Sequence, residues 1–328
     1  MHRRHFLRTA TGAALLARLG IPAIATAAPD LADSRQFSID WLRIRAKQLA
    51  GHPFRAPSDN LPPALDALDY DQYRDIRFRP DEALWGNAPP FSTQLFHRGF
   101  YYRTPVRIFE VIADKAREVK YRPDLFSFGA NTFDHSTLGA ATGFAGLRVH
   151  TDLNTPGVMD ELLVFLGASY FRALARHTNY GLSARGLAIG TADEQGEEFP
   201  YFSEFYLERP QDANSLVIHA LLNSQSVTGV YTFTIRPGAD TVIDVAMSLY
   251  ARSEITKIGI APLTSMFFFA ANDRVDIDDF RPAVHDSDGL MIWNGAGEWI
   301  WRPLVNPRQL RVSTFVDRNP KGLSLIHI

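Results

Sequence analysis

Apolar positions recur along this chain with two periods, and the change from one to the other divides it. Between Phe37 and Leu49 the residues Ile39, Leu42, Ala46 and Leu49 fall three or four apart. That spacing lines one face of an amphipathic helix. Pro53, Pro57, Pro62 and Pro63 end it and predict an extended connector. Residues 62–75 read as short helical turns with Leu65, Leu68 and Tyr73 inward, and a further helix is expected over residues 80–85. From Phe91 onward the period shortens toward two. Runs rich in Val, Ile, Phe, Tyr and Thr alternate with Gly, Pro, Asp and Asn about every ten residues, as short strands do. Strands are expected at 106–112, 119–121, 143–150, 161–166, 216–222, 230–235, 241–250, 265–269, 290–293 and 309–316. Val230–Ile235 alternates cleanly, which predicts a half-buried antiparallel strand. No βαβ rhythm and no GxGxxG loop is present. The fold class read from this pattern is mainly β: a large antiparallel β-sandwich with a few N-terminal helices. Residues 30–320 read as one domain.

The ends change the picture. Arg3-Arg4-His5-Phe6-Leu7-Arg8 is a twin-arginine pattern, followed by a modest apolar run from Ala10 to Ile24 and small residues at Ala25-Thr26-Ala27. This reads as a signal peptide over residues 1–28, cleaved near Ala27, with the Tat export machinery as a partner and the periplasm as destination. The apolar run is too short and weak for stable membrane insertion. The folded domain is expected over residues 29–322. Residues 317–322 read as a turn, and residues 323–328 as a bare apolar tail. A natural terminus rarely exposes such a run, so the expectation is a chain cut short with a non-native tail.

Charge and composition exclude some chemistry. The net charge of −2 offers no global field for nucleic acid, whereas a neutral polysaccharide is indifferent to it. There is no cysteine, hence no disulfide and no thiolate nucleophile or metal ligand. No motif calls for a cofactor.

Two stretches hold the candidate chemistry. Phe280–Pro303 gathers His285, Asp286, Asp288, Glu298 and three tryptophans, broken by glycines. Indoles stack on sugar faces and carboxylates accept hydroxyls or move protons, so the group suits a carbohydrate site. The other reading is two strands and a turn, with Trp in a core and Asp capping loops. Trp293, Trp299 and Trp301 sit in a predicted hairpin, where one face is core and the other lines a groove. The second stretch spans Gly167–Arg172 and Tyr180–Ile189. Its small residues permit close backbone approach to a ligand or to neighbouring strands. Its Tyr170, Arg172 and Arg185 either donate to sugar hydroxyls or pair with carboxylates. Glu197-Glu198 either overhangs the same cleft or is a solvated loop. Neither Ser169 nor Ser183 lies in GxSxG. His285, Asp286 and Asp288 offer metal ligands, but neighbours on a strand face opposite ways and no second His cluster follows, so no metal is expected.

Taken together, FLGASYFRA (165–173), YGLSARGLAI (180–189), EEFP (197–200), SVTGVYTFTI (226–235), LYAR (249–252), GIAPLTSMF (259–267), HDSDGL (285–290), GEWIWRPL (297–304) and NPKG (319–322) resemble the periplasmic osmoregulated-glucan biosynthesis proteins of the OpgG/OpgD family. The twin-arginine leader favours the D type. The resemblance implies a large β-sandwich like galactose mutarotase, followed by an immunoglobulin-like domain that this chain would lack. It also implies an inverting endo-β-1,2-glucanase acting on linear β-1,2-glucan. On the matching motif the general base is Asp286, with Ser287 as relay hydroxyl, and the general acid lies beyond Ile328. Tyr170, Arg172, Arg185, Glu198, His285, Asp288, Trp293 and Trp299 are the residues expected to bind substrate. The alternative is a non-catalytic β-glucan-binding protein that controls backbone structure or branching.

Overall fold

The computed structural model describes residues 34–326 apart from 87–89, 179, 275 and 314. The leader at 1–28 lies outside the described residues. The protein is mainly β. A seven-stranded sheet runs Arg35–Gln36, Lys115–Glu118, Arg107–Ile112, Tyr201–Glu208, Leu216–Asn223, Val227–Arg236, Val242–Ala251 in spatial order. A six-stranded sheet runs Leu263–Thr264, Leu182–Arg185, Tyr170–Ala173, Asp160–Leu166, Phe144–Thr151, Phe91–His97. Their facing sides form the main core. Phe165 of the six-stranded sheet meets Phe205 and Phe233 of the other, each at 5.0 Å between ring centres. Among the described residues every strand pairing is antiparallel except Tyr201–Glu208 with Arg107–Ile112, which is parallel.

The first helix spans Ile39–Ala50. It starts two residues later than its periodicity suggested, because Ser38 caps it by accepting from the Trp41 N–H at 3.1 Å. Leu42 and Ala46 are buried against the outer side of the seven-stranded sheet. Val230–Ile235 alternates as expected, with Tyr231, Phe233 and Ile235 buried and Thr232 and Thr234 half-buried, while the helix covers the outer side at Thr228 and Val230. Thr228, fully buried there, donates to the Ala46 carbonyl at 2.7 Å. A buried hydroxyl needs such a partner.

Other differences have local causes. Residues 62–75 form two short helices, Pro63–Asp66 and Tyr70–Asp75, the second closed by an Asp69–Gln72 capping box. Only a single 3-10 turn, Pro80–Glu82, forms where a longer helix was expected. Phe91–His97 and Tyr201–Glu208 are long strands that the sequence reading left out. The strand expected at 119–121 lies at Lys115–Glu118. The described residues of 309–316 form no strand. Gly322–Ile326 pairs with Gly289–Trp293, completing a three-stranded sheet with Trp299–Pro303.

Candidate functional site

The six-stranded sheet turns one side to the core and the other outward, and its register sorts the candidate residues. Gln94, Arg148, Val164, Arg172, Ser183 and Thr264 stand abreast across all six strands. Tyr170 and Arg185 pair in the next row on the same side, because side chains repeat every two residues. Phe171, between Tyr170 and Arg172, points the other way and packs on Phe233 at 5.2 Å. Tyr170, Arg172 and Arg185 therefore share the outward face.

Each is held in place. Arg172 donates to the Tyr180 hydroxyl at 2.9 Å and to Glu161 at 3.3 Å, with its guanidinium 4.5 Å over the Tyr180 ring. Arg185 is paired with Glu197 and lies near the rings of Tyr170 (5.5 Å) and Phe199 (5.8 Å). Glu198 turns the opposite way. Its oxygens accept from the hydroxyl of Ser224 and from Ser226 N–H (2.9 Å) and Oγ (2.5 Å). Burial acts to raise its pKa, but these hydrogen bonds outweigh that and leave it lowered. Of the Glu197-Glu198 pair, Glu197 rather than the expected Glu198 is the acid that meets the arginine. The close backbone approach read into the glycines is made to the protein's own strands. A Cβ on Gly181 would lie 2.2 Å from the Ala173 carbonyl, and one on Gly186 would lie 2.7 Å from the Phe202 ring.

Asp286 is reached by following the edge strand. Thr264 leads into Ser265 and Met266. Asp286 donates its N–H to the Met266 carbonyl at 2.8 Å, and its Oδ2 accepts from the Met266 N–H at 3.2 Å. The carboxylate is half-buried, not sunk in the hydrophobic interior. Ser287 is fully buried, and its hydroxyl lies 2.5 Å from that of Ser265. His285 stacks on Phe267 at 5.6 Å with parallel rings, and its Nε2 is 3.2 Å from Asp288. Asp286 thus sits beside the edge of the sheet whose outward face carries Arg172 and Arg185. Among the described residues no three His, Asp or Glu side chains converge to hold a metal ion.

The register gathers the tryptophans on one face. Trp293 pairs with Trp299, and Met291 with Trp301, so all three indoles lie on one side of the hairpin. Ile292 and Leu325 are buried on the other side. Trp293 and Trp299 stack at 5.2 Å and 7°, and are 37% and 64% exposed, so this is the open side. Trp301 lies over Gly289, where a Cβ would be 2.7 Å from its ring. Trp293 is five residues along the strand from Asp288, which at ~3.3 Å per residue is roughly 17 Å. The compact grouping of indoles and carboxylates expected from the sequence is therefore drawn out along a strand. A ligand touching both ends must be long.

Sequence reasoning missed Gln94, Arg148, Glu161, Tyr180, Phe199 and Ser265. The first two were visible as polar positions alternating with apolar ones in FSTQLFH (91–97) and FAGLRVHT (144–151).

Comparison with known proteins agrees with the resemblance at family level. The profile of the family described as "Periplasmic glucan biosynthesis protein, MdoG" matches residues 37–327. The chain is 52% identical over 318 residues to "Glucans biosynthesis protein G" of Rhodopseudomonas palustris (strain BisA53), covering 95% of this chain and 63% of that protein. It is 52% identical over 328 residues to the protein of the same name from Bradyrhizobium diazoefficiens, covering 99% and 64%. It is also 52% identical over 310 residues to that of Ralstonia nicotianae, covering 94% and 60%. The chain spans under two thirds of the length of these relatives.

Proposed function

The chain belongs to the MdoG family of periplasmic glucan biosynthesis proteins, and on that premise we propose that the full-length protein cuts linear β-1,2-glucan as an inverting endo-glucanase. Asp286 is the general base in this reading. The observation that carries it is the placement of Asp286: a half-buried carboxylate at the edge of an outward face bearing Tyr170, Arg172 and Arg185. An inverting reaction needs a carboxylate that draws a proton from water on one side of the sugar and an acid on the other. The acid is assigned to none of the described residues.

Ser287 and Ser265 form the proposed relay, passing the proton from water toward Asp286. Arg172, Arg185 and Tyr170 donate to sugar hydroxyls beside the scissile bond, with His285 and Asp288 flanking the base. Trp293 and Trp299 stack on sugar units further along the chain. Glu198 is proposed to brace the 224–226 turn behind the face rather than to touch substrate. Export by the twin-arginine route, using Arg3 and Arg4, is part of the proposal. That leader supports the D type, to which the proposed reaction is tied, whereas the relatives' printed names are of the G type.

The test is incubation of the full-length protein with linear β-1,2-glucan, following new reducing ends and, by NMR, the anomer released first. New ends with inverted configuration are expected; retained configuration sinks the inverting scheme. The second reading, a non-catalytic glucan-binding protein, is favoured by the open Trp293–Trp299 stack lying far from Asp286. Binding by calorimetry with no new reducing ends decides for it.

A further inference from the structure

At the opposite end of the row from Thr264, the outward face opens into a cavity of about 470 Å³. Its cations are Arg74, Arg77 and Arg148. Its aromatic walls include Tyr70, Phe96, Phe100 and Tyr102. Arg148 belongs to the row itself. Two of its nitrogens are held by the Gln94 side-chain oxygen at 3.1 and 2.7 Å, and a third lies 3.9 Å from Glu161. Among the described residues Arg74 and Arg77 have no ion-pair partner. Asp75, beside Arg74, accepts from the Ala130 N–H at 2.5 Å, and with Asp71 it lines a neighbouring pocket that Arg74 and Arg77 also border. The cavity's own lining, among the described residues, holds these three arginines and no carboxylate. Burial disfavours the charge on Arg148, Glu161 offsets part of this, and Arg77 adds repulsion. An anion in the cavity would relieve all three arginines.

The aromatic wall is built at a conformational cost. Phe100 holds φ at +53°, a left-handed conformation that bulky residues rarely adopt. In that position its ring meets Tyr70 at 6.0 Å and Tyr73 at 6.3 Å. Arginines alone would suit any anion. Arginines beside open aromatic rings suit an anion carried on a ring with an apolar face, which describes an acid-bearing sugar.

The cavity is also continuous with the proposed site. Glu161 lies between Arg148 and Arg172, at 3.9 and 3.3 Å. The row from Gln94 to Thr264 crosses six strands, or roughly 24 Å at ~4.8 Å per step. We propose that the Arg74–Arg77–Arg148 cavity binds an acid-bearing sugar unit, phosphorylated or carboxylated, of the same glucan whose backbone lies along this row toward Asp286. The inference rests on the glucan reading for the polymer but not for the small-sugar chemistry of the cavity.

The test uses calorimetry on the full-length protein at low salt with glucose, glucose 6-phosphate, glucuronate and inorganic phosphate as probes. At least one acid-bearing sugar is expected to bind about tenfold or more tighter than both glucose and inorganic phosphate. That preference is expected to shrink in high salt and to vanish in the Arg74→Gln/Arg77→Gln double variant. Both positions are exposed, so the variant is expected to unfold like the parent, which thermal unfolding checks. Equal binding of glucose and the acid-bearing sugars overturns the proposal. So does inorganic phosphate binding as tightly as glucose 6-phosphate, or a preference that survives the double variant. Neutral β-1,2-glucan titrated alongside separates the two claims: its failure to bind sinks the proposed function, whereas loss of selectivity alone sinks only the cavity.

Discussion

The two sheets each carry acids and arginines on their outward faces, yet they use them differently. On the seven-stranded sheet Glu204 is 3% exposed beneath the first helix. It is paired with Arg45, takes the Tyr206 hydroxyl at 2.6 Å, and has Arg107 at 3.3 Å. Tyr206 in turn accepts from Arg35 at 2.6 Å. Around the six-stranded sheet Asp286 is half-buried, and its described carboxylate bond is a single backbone N–H at 3.2 Å. Both acids follow from short polar insertions in β-rich sequence. Glu204 is saturated with partners and locks a helix to a sheet. Asp286 retains open lone pairs beside a polar face. An acid's chemistry is set by how many of its lone pairs the fold has already used.

The largest break in this contrast is Glu204→Ala. It leaves half-buried Arg45 without its charge partner, which costs up to the roughly 3–5 kcal/mol seen when a fully buried pair is broken. Urea unfolding should show that loss, and an unchanged midpoint would remove Glu204 from the structural role. Leu42→Ala tests the roof itself. Leu42 is fully buried between helix and sheet, so truncation should cost about 2–5 kcal/mol in the same assay.

Acid sharpens the comparison. Burial acts to raise the pKa of Glu204, but Arg45, Tyr206 and Arg107 outweigh it and leave it lowered. Glu118, bonded to Arg107 and Lys120, is lowered to about 2. A depressed folded pKa means stability that is present above the unfolded value and lost as pH falls through the folded one. Unfolding midpoints should therefore hold above pH ~4.5 and fall progressively toward pH ~2. Stability that stays flat across that window contradicts the assignment. The smallest expected effect on stability is Trp299→Ala. An exposed indole contributes within about 0.5 kcal/mol, while calorimetry should show glucan binding weakened severalfold. Unaltered binding would take Trp299 out of the substrate path.

Much of the fold was legible in the sequence, and what was hidden has a common cause. The first helix followed from a 3.6-residue period, and most strands from a period of two. What stayed hidden was long-range. The burial of Thr228 and Val230 was hidden because the helix that covers them comes from about 180 positions earlier in the chain. Phe91–His97 hid because its outward Ser92 and Gln94 dilute a short apolar run. Within the site, Tyr170 and Arg172 share a face by simple alternation, but only the register of Leu182–Arg185 brings Arg185 beside them. Glu197 and Glu198 are adjacent in sequence, so extended backbone sends them opposite ways, and sequence offered no means to choose between them. The tryptophans looked gathered because they are close in sequence. A strand stretches five residues over roughly 17 Å.

The most direct measurement is the turnover of linear β-1,2-glucan by full-length Asp286→Asn protein, with its unfolding midpoint determined on the same preparation. Loss of a proton-transfer group predicts chain cutting reduced about 10²–10⁴-fold while the midpoint stays put. A drop of less than tenfold, or one that merely follows a lowered midpoint, contradicts the assignment of Asp286 as the base.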